Sequence, residues 1–243
     1  MKDQEAMNGY NWEKYTACTA EDYRKARATG DFSDSKGHCM LEGGELEIKC
    51  ALNLAKIYLH TEPEGKVLDV ASGSGYMAHC WKKLGFEVTG IELLQEGVAL
   101  ARDTYPDINF CQGDGTAPKK YFEHMKFNVV FIREFHPFTR IDDFDLQIRI
   151  IEDYLDIMHD GGVLIIDQSR RRDCPNLNME KVRKVLSGAN VKATPPLYFF
   201  PHKHLKITSR NKSLNKCLSR LTDIYSMVTK KYPVQLCLIH KCL

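Results

Sequence analysis

The chain has 243 residues, 43% of them hydrophobic and 27% charged, with a formal net charge of +2. These values suit one α/β domain with an elaboration. They exclude the strong global field expected of a dedicated nucleic-acid or anionic-membrane binder. No apolar run reaches the roughly 18 residues of a membrane span, and the start Met1-Lys2-Asp3-Gln4-Glu5 has no apolar signal core, so a cytoplasmic protein with no membrane partner is expected.

Residues 1–37 are polar and studded with aromatics: Tyr10, Trp12, Tyr15, Tyr23 and Phe32. A short helix is expected around 19–28, with Thr19 as N-cap and Asp22 near N3. Residues 1–43 are read as an N-terminal lid and 44–243 as the main domain. An amphipathic helix over 44–60 places Leu46, Cys50, Leu54 and Ile57 on one face. A regular alternation follows. Strands are expected at Lys66–Val70, Phe86–Ile91, Ile108–Gln112, Phe127–Arg133 and Val163–Asp167, and helices at Gly75–Leu84, Gln95–Thr104 and Asp143–Met158, the last stopped by Gly161-Gly162. Continuous apolar strands alternating with helices indicate a doubly wound, mostly parallel sheet covered on both faces. Further on, Met179–Leu186 reads as a helix, and Leu197–Phe200 and Leu205–Thr208 as strands. Leu221–Val228 and Val234–His240 read as an antiparallel hairpin closing the sheet edge. The nine cysteines, at 18, 39, 50, 80, 111, 174, 217, 237 and 242, contain no C-x-x-C pair. Reduced, mostly buried thiols and no metal are expected, with Cys237 and Cys242 the first pair to consider otherwise.

The chemistry sits in the turn after the first strand, Asp69-Val70-Ala71-Ser72-Gly73-Ser74-Gly75. Glycines there let backbone N–H groups approach a ligand at a helix start. Glu92 ends the second strand and puts a carboxylate over the same crevice, within reach of two ribose hydroxyls. A dinucleotide site calls for G-x-G-x-x-G; this spacing differs. An Asp in the loop suits an amino group better than a pyrophosphate, which favours a phosphate-free, amino-acid-bearing nucleoside such as S-adenosylmethionine.

The stretch resembles the first motif of the class I methyltransferases, D-x-G-x-G-x-G, with Ala71 in place of the first glycine. Gly90-Ile91-Glu92 is similar to the family's second motif and Gly113-Asp114-Gly115 to its third. Phe127–Ile132 with Arg133-Glu134 is similar to its fourth, and Gly161-Gly162-Val163-Leu164-Ile165-Ile166 to the segment leading into the fifth strand. The resemblance covers about residues 40–170. It implies a Rossmann-like, seven-stranded fold and S-adenosyl-L-methionine as cofactor; the residue pattern at the two ends adds the antiparallel C-terminal hairpin and the N-terminal helical lid. It also implies cofactor contacts at Asp69, Ala71, Ser72, Gly73, Gly75, Glu92, Leu93, Asp114, Gly115 and Arg133.

The acceptor belongs over the carboxyl ends of the fourth and fifth strands. His136 is a candidate general base because its ordinary pKa lies near neutrality, and Glu134 is the alternative. Arg170, Arg171 and Arg172 offer a fork for a carboxylate or phosphate. His202 and His204 share one strand face, with no carboxylate partner for a metal. Tyr10, Trp12 and Tyr15 are candidate lid residues that cover the acceptor and keep water out. The expected function is O- or N-methylation of a small-molecule acceptor, anionic if the arginine fork is used, by a monomer or homodimer. Alternatives are an RNA- or protein-directed enzyme, using the basic run Lys203, Lys206, Arg210, Lys212, Lys216 and Arg220, and a non-catalytic binding protein. The turn spacing disfavours an NAD-dependent oxidoreductase.

Overall fold

The computed structural model describes residues 12–30, 43–169, 175–186, 188, 190–199, 214, 217–218, 221 and 234–242. The helices are α1 (Trp12–Thr29), α2 (Gly44–Leu59), α3 (Tyr76–Lys83), α4 (Gln95–Thr104), α5 (Lys119–Phe122), α6 (His136–Thr139), α7 (Phe144–Asp156) and α8 (Met179–Leu186). The strands are β1 (Lys66–Val70), β2 (Glu87–Glu92), β3 (Asn109–Gln112), β4 (Phe127–Arg133), β5 (Met158–Ser169), β6 (Val191–Ala193), β7 (Leu197–Phe199) and β8 (Val234–Lys241).

The sheet runs β3-β2-β1-β4-β5-β8-β6, with β7 pairing β8. β1 to β5 pair in parallel, and β8 runs antiparallel to β5. β6 lies opposite Ile239–Lys241 and β7 opposite Val234–Leu236, so two short strands share the seventh position. Strand alternation splits the core into two layers. Val67, Val129, Phe131, Val163 and Ile165 pack with Ile48, Ala51 and Leu54 of α2 and Trp81 of α3. Leu68, Val70, Val130, Ile132, Leu164 and Ile166 pack with Ile151 and Tyr154 of α7. A strand buried on both sides has no polar face to show, which is why β4 and β5 read as apolar runs.

Three expectations change. The C-terminal edge is antiparallel, but among the described residues the partners of β8 are β5, β6 and β7; of the expected strand over 221–228 only Leu221 is described, and it is helical. Gly161-Gly162 does not stop α7, which ends at Asp156; the two glycines form a bulge inside β5, between the pairs Phe127–Met158 and Val129–Val163. Gly161 takes φ +83°, and a Cβ on Gly162 would sit 2.9 Å from the His159 carbonyl oxygen. The expected helix over 19–28 is α1, longer at its start. The seven described cysteines are free thiols; Cys50, Cys80 and Cys237 are buried, and Cys237 points its thiol at the Thr194 carbonyl rather than at Cys242. No helix among the described residues is long and apolar enough to cross a membrane.

Strand order reverses between β1 and β4. That switch point opens a crevice at the carboxyl ends of the strands, where ligands bind in open α/β sheets.

Candidate active site

The turn after β1 is built from backbone conformation. Ala71, Gly73 and Gly75 all take left-handed φ values, +54°, +54° and +84°. Ala71 therefore adopts the shape that glycine serves in the resembled motif, at a cost of about 1 kcal/mol. The turn is fixed by Ser72 N–H donating to the Ile91 carbonyl (3.0 Å) and Gly75 N–H donating to the Ser72 carbonyl (2.9 Å). Gly75 caps α3, and a Cβ there would lie 2.7 Å from the Phe110 ring.

Glu92 ends β2 with its side chain buried, because the turn folds over it. Oε2 accepts from Gly73 N–H and Oε1 from Leu94 N–H, each at 3.0 Å. Burial raises its pKa, while these amides pull it down. Each oxygen keeps a lone pair for a ligand hydroxyl. Leu93 beside it is 38% exposed, an apolar surface at the rim suited to a flat ring.

The loop after β3 is held by two tyrosines. Asp114 N–H donates to the Tyr121 hydroxyl (3.2 Å), and the Tyr154 hydroxyl donates to the Gly115 carbonyl (2.6 Å). Asp114 Oδ1 accepts from the amide and hydroxyl of Thr116, both at 2.8 Å. Oδ2 is thereby oriented while the residue stays exposed. A Cβ on Gly113 would lie 2.8 Å from Ile91 Cδ1 and 3.0 Å from the Tyr121 ring, so a larger residue here would have to push these side chains aside.

Helix α1 lies across this end of the site. A Cβ on Gly73 would be 3.0 Å from the Tyr23 hydroxyl, and one on Gly97 would be 2.9 Å from both the Tyr23 ring and Glu92 Cγ. Tyr23 is thus wedged over the turn beside Glu92. Arg27–Asp103 (2.6 Å) and Arg24–Glu96 (3.5 Å) pin α1 to α4 at the surface.

At the carboxyl end of β4, Arg133 Nε is 2.7 Å from Glu47 Oε1 of α2, with both side chains largely buried. Glu134 takes φ +49° and its carboxylate accepts from Ser169 N–H, which ties the end of β4 to β5. His136 starts α6; burial, aided by Arg140, lowers its pKa to about 4. Tyr10, Arg170, Arg171, Arg172, His202 and the basic run beginning at Lys203 lie outside the described residues, and of Trp12 and Tyr15 only the helical backbone is described. The structure brings together Asp69, Ala71, Ser72, Gly73, Gly75, Glu92, Leu93, Asp114 and Gly115. Sequence reasoning missed the direct contact of Tyr23 and the roles of Tyr121, Tyr154, Glu47 and Asp167. Only Tyr23 carried a signal, as one of several N-terminal aromatics.

Residues 67–162 match a family model described as a methyltransferase domain. Over 81 residues the chain is 42% identical to a demethylmenaquinone methyltransferase of Chlorobaculum tepidum, a match covering 33% of each protein. The aligned segment thus spans a third of that relative's length. Over nearly the whole chain the fold is similar to the plantazolicin methyltransferase BamL, solved with a desmethyl analogue and S-adenosylhomocysteine (TM-score 0.56, 13% identity, 95% of this chain and 99% of that one). It is also similar to the [4+2]-cyclase SpnF (TM-score 0.53, 14% identity, 81% of this chain and 82% of that one). At such identities the likeness speaks for the fold alone. The glycine turn, the acid that ends β2 and the loop after β3 all lie inside the segment that matches the methyltransferase domain, and together they support an S-adenosylmethionine-dependent methyltransferase.

Proposed function

We propose that the chain transfers a methyl group from S-adenosylmethionine to a small-molecule acceptor. The observation that carries the cofactor reading is the Glu92 carboxylate, buried and clamped by the amides of Gly73 and Leu94 with lone pairs left for two ribose hydroxyls. The residues present fit that group. Two buried oxygens at the turn, Asp69 Oδ2 and Ser72 Oγ, have no hydrogen-bond partner among the described residues. Buried polar atoms of this kind call for a ligand or water. Asp69 suits the ammonium of an amino-acid end, Leu93 and Asp114 the face and amino edge of the adenine, and Tyr23 the open side of the ribose.

When bound, the cofactor supplies an activated methyl group on a sulfonium. The chain's own part is to orient and enclose it. Burial keeps His136 neutral through the physiological range, so its ring can accept a hydrogen bond from an acceptor O–H or N–H. With a pKa near 4 it is a weak sink for a full proton. We therefore read it as an orienting group, with the acceptor losing its proton late. The lid reading of residues 1–43 rests on α1, whose Tyr23 covers the turn. The plantazolicin and demethylmenaquinone enzymes are named for small acceptors, which favours that class here. Incubation with S-adenosylmethionine carrying a labelled methyl, followed by separation of small molecules from RNA and protein, tests this. Label is expected in the small-molecule fraction; label confined to macromolecules refutes the acceptor class.

A further inference from the structure

The residue that follows β4, Glu134, adopts a conformation that few side chains take. Its φ of +49° lies in the left-handed region, where a long acid gains nothing from its own backbone. Strain of this kind persists only where the surroundings over-determine it, and it gathers at functional sites. Here two hydrogen bonds to β5 do the holding. Glu134 N–H donates to the Asp167 carbonyl (2.9 Å), and the Glu134 carboxylate accepts from the N–H of Ser169, the last residue of β5. The carboxyl of Asp167, 2% exposed and with an Oδ2 that has no hydrogen-bond partner among the described residues, repels that carboxylate. The Ser169 amide holds it against the repulsion.

The residues on either side are fixed by other elements. Arg133 stands opposite Asp167 in the register and pairs with Glu47 of α2. Phe135 is buried and extended; its ring meets Phe138 edge-on at 5.3 Å, and a Cβ on Gly115 would lie 3.1 Å from it. The Gln147 side chain of α7 donates to the carbonyls of Pro137 (3.0 Å) and Ile141 (2.8 Å), and Leu177 N–H donates to the Phe138 carbonyl (2.6 Å). Glu134 is thus the strained link between a strand tied to α2 and a short helix tied to α7. His136 opens that helix, two residues after the link.

We infer that Glu134 is a positioning residue: by fastening the left-handed turn to the end of β5, its carboxylate sets the imidazole of His136 where an acceptor O–H or N–H can reach it. The inference rests on the methyltransferase reading, with His136 as the group that orients the acceptor. In this role Glu134 acts through His136 and touches no reacting atom.

Titration of the histidine imidazoles by NMR tests this, with His136→Gln identifying the resonance. Burial, aided by Arg140, holds His136 at about 4 in the wild type. Glu134→Ala frees the turn, and the ring is expected to gain water and titrate higher, toward the ordinary 6.5. Losing a negative charge alone moves a histidine the other way, so a rise reports displacement. Glu134→Gln keeps an oxygen for Ser169 N–H and is expected to leave the titration at about 4. Glu134→Asp tolerates the left-handed turn, so it keeps the fold, but is one methylene short of the amide; it is expected to raise the titration as Ala does. No rise in either Glu134→Ala or Glu134→Asp overturns the inference, as does a rise in Glu134→Gln equal to that in Glu134→Ala. Calorimetry with S-adenosylhomocysteine on the same samples is expected to give one affinity throughout, because Glu92 and the turn after β1 lie outside this link. A loss of affinity that tracks a loss of melting temperature makes Glu134 a general support and overturns the inference. Failure of the folded wild type to bind S-adenosylhomocysteine overturns the methyltransferase reading instead, and the His136 titrations still decide whether Glu134 positions that ring.

Discussion

Replacing Glu92 with Gln changes one oxygen into an amino group and nothing in shape. In the folded chain that carboxylate accepts from Gly73 N–H and Leu94 N–H, each at 3.0 Å. The amide keeps one acceptor, so one of the two donors is left facing another donor. Losing a hydrogen bond to a charged group costs about 1.5–3 kcal/mol, and a buried unpaired donor costs a similar amount. For a chain of this size, 2 kcal/mol lowers the melting temperature by roughly 4–8 °C. The same change removes a ribose acceptor and frees the Gly73 turn, so affinity for S-adenosylhomocysteine is expected to fall about 10- to 100-fold. Calorimetric binding and a thermal melt, measured on the same preparation, read both effects. Unchanged affinity together with an unchanged melt refutes the role given to Glu92. Reduced stability with unchanged affinity confines Glu92 to holding the turn.

Ala71→Gly relieves the left-handed strain at φ +54°; offset by the freedom glycine adds to the unfolded chain, a gain of up to about 1 kcal/mol is expected, read as a melting rise of roughly 2–4 °C. Tyr23→Ala removes the ring wedged between Gly73 and Gly97; S-adenosylhomocysteine binding is expected to weaken several-fold with little change in melting, and unaltered binding takes Tyr23 out of the site. The pH dependence of stability separates two signs. Asp69 and Asp167 have folded pKa values near 7, above their unfolded values. The folded state therefore holds more protons between about pH 4 and 7, and stability falls as pH rises through that window. His136, lowered to about 4, acts oppositely, so stability rises with pH between about 4 and 6.5. Denaturant melts between about pH 4 and 6.5 are expected to show a shallower downward slope in Asp167→Asn, where Asp69 keeps its share, and a steeper one in His136→Gln, which removes the opposing contribution; unchanged slopes reject these assignments.

The cofactor half of the site was legible in the sequence because backbone geometry dictates it. Only certain residues take the turn conformations at 71, 73 and 75, and an acid ending β2 has one place to go. The acceptor half was not legible. Arg133 and Glu134 sit where the motif put them, but their partners, Glu47 and Ser169, come from elements distant in sequence. Asp167 looked like an ordinary strand end, and its isolation shows only when β1, β4 and β5 are laid side by side. Gly161-Gly162 misled because a glycine pair serves a helix stop and a strand bulge equally well. β7 registered as the strand at Leu197–Phe200 but its pairing with β8 did not, and β6, three residues long, is too short for periodicity to register.

The most direct test is a crystal structure with S-adenosylhomocysteine bound. The account predicts both ribose hydroxyls on Glu92, the adenine between Leu93 and Asp114, and the amino-acid end at the turn beside Asp69. A ligand seated away from Glu92, or no binding at saturating concentration, contradicts it.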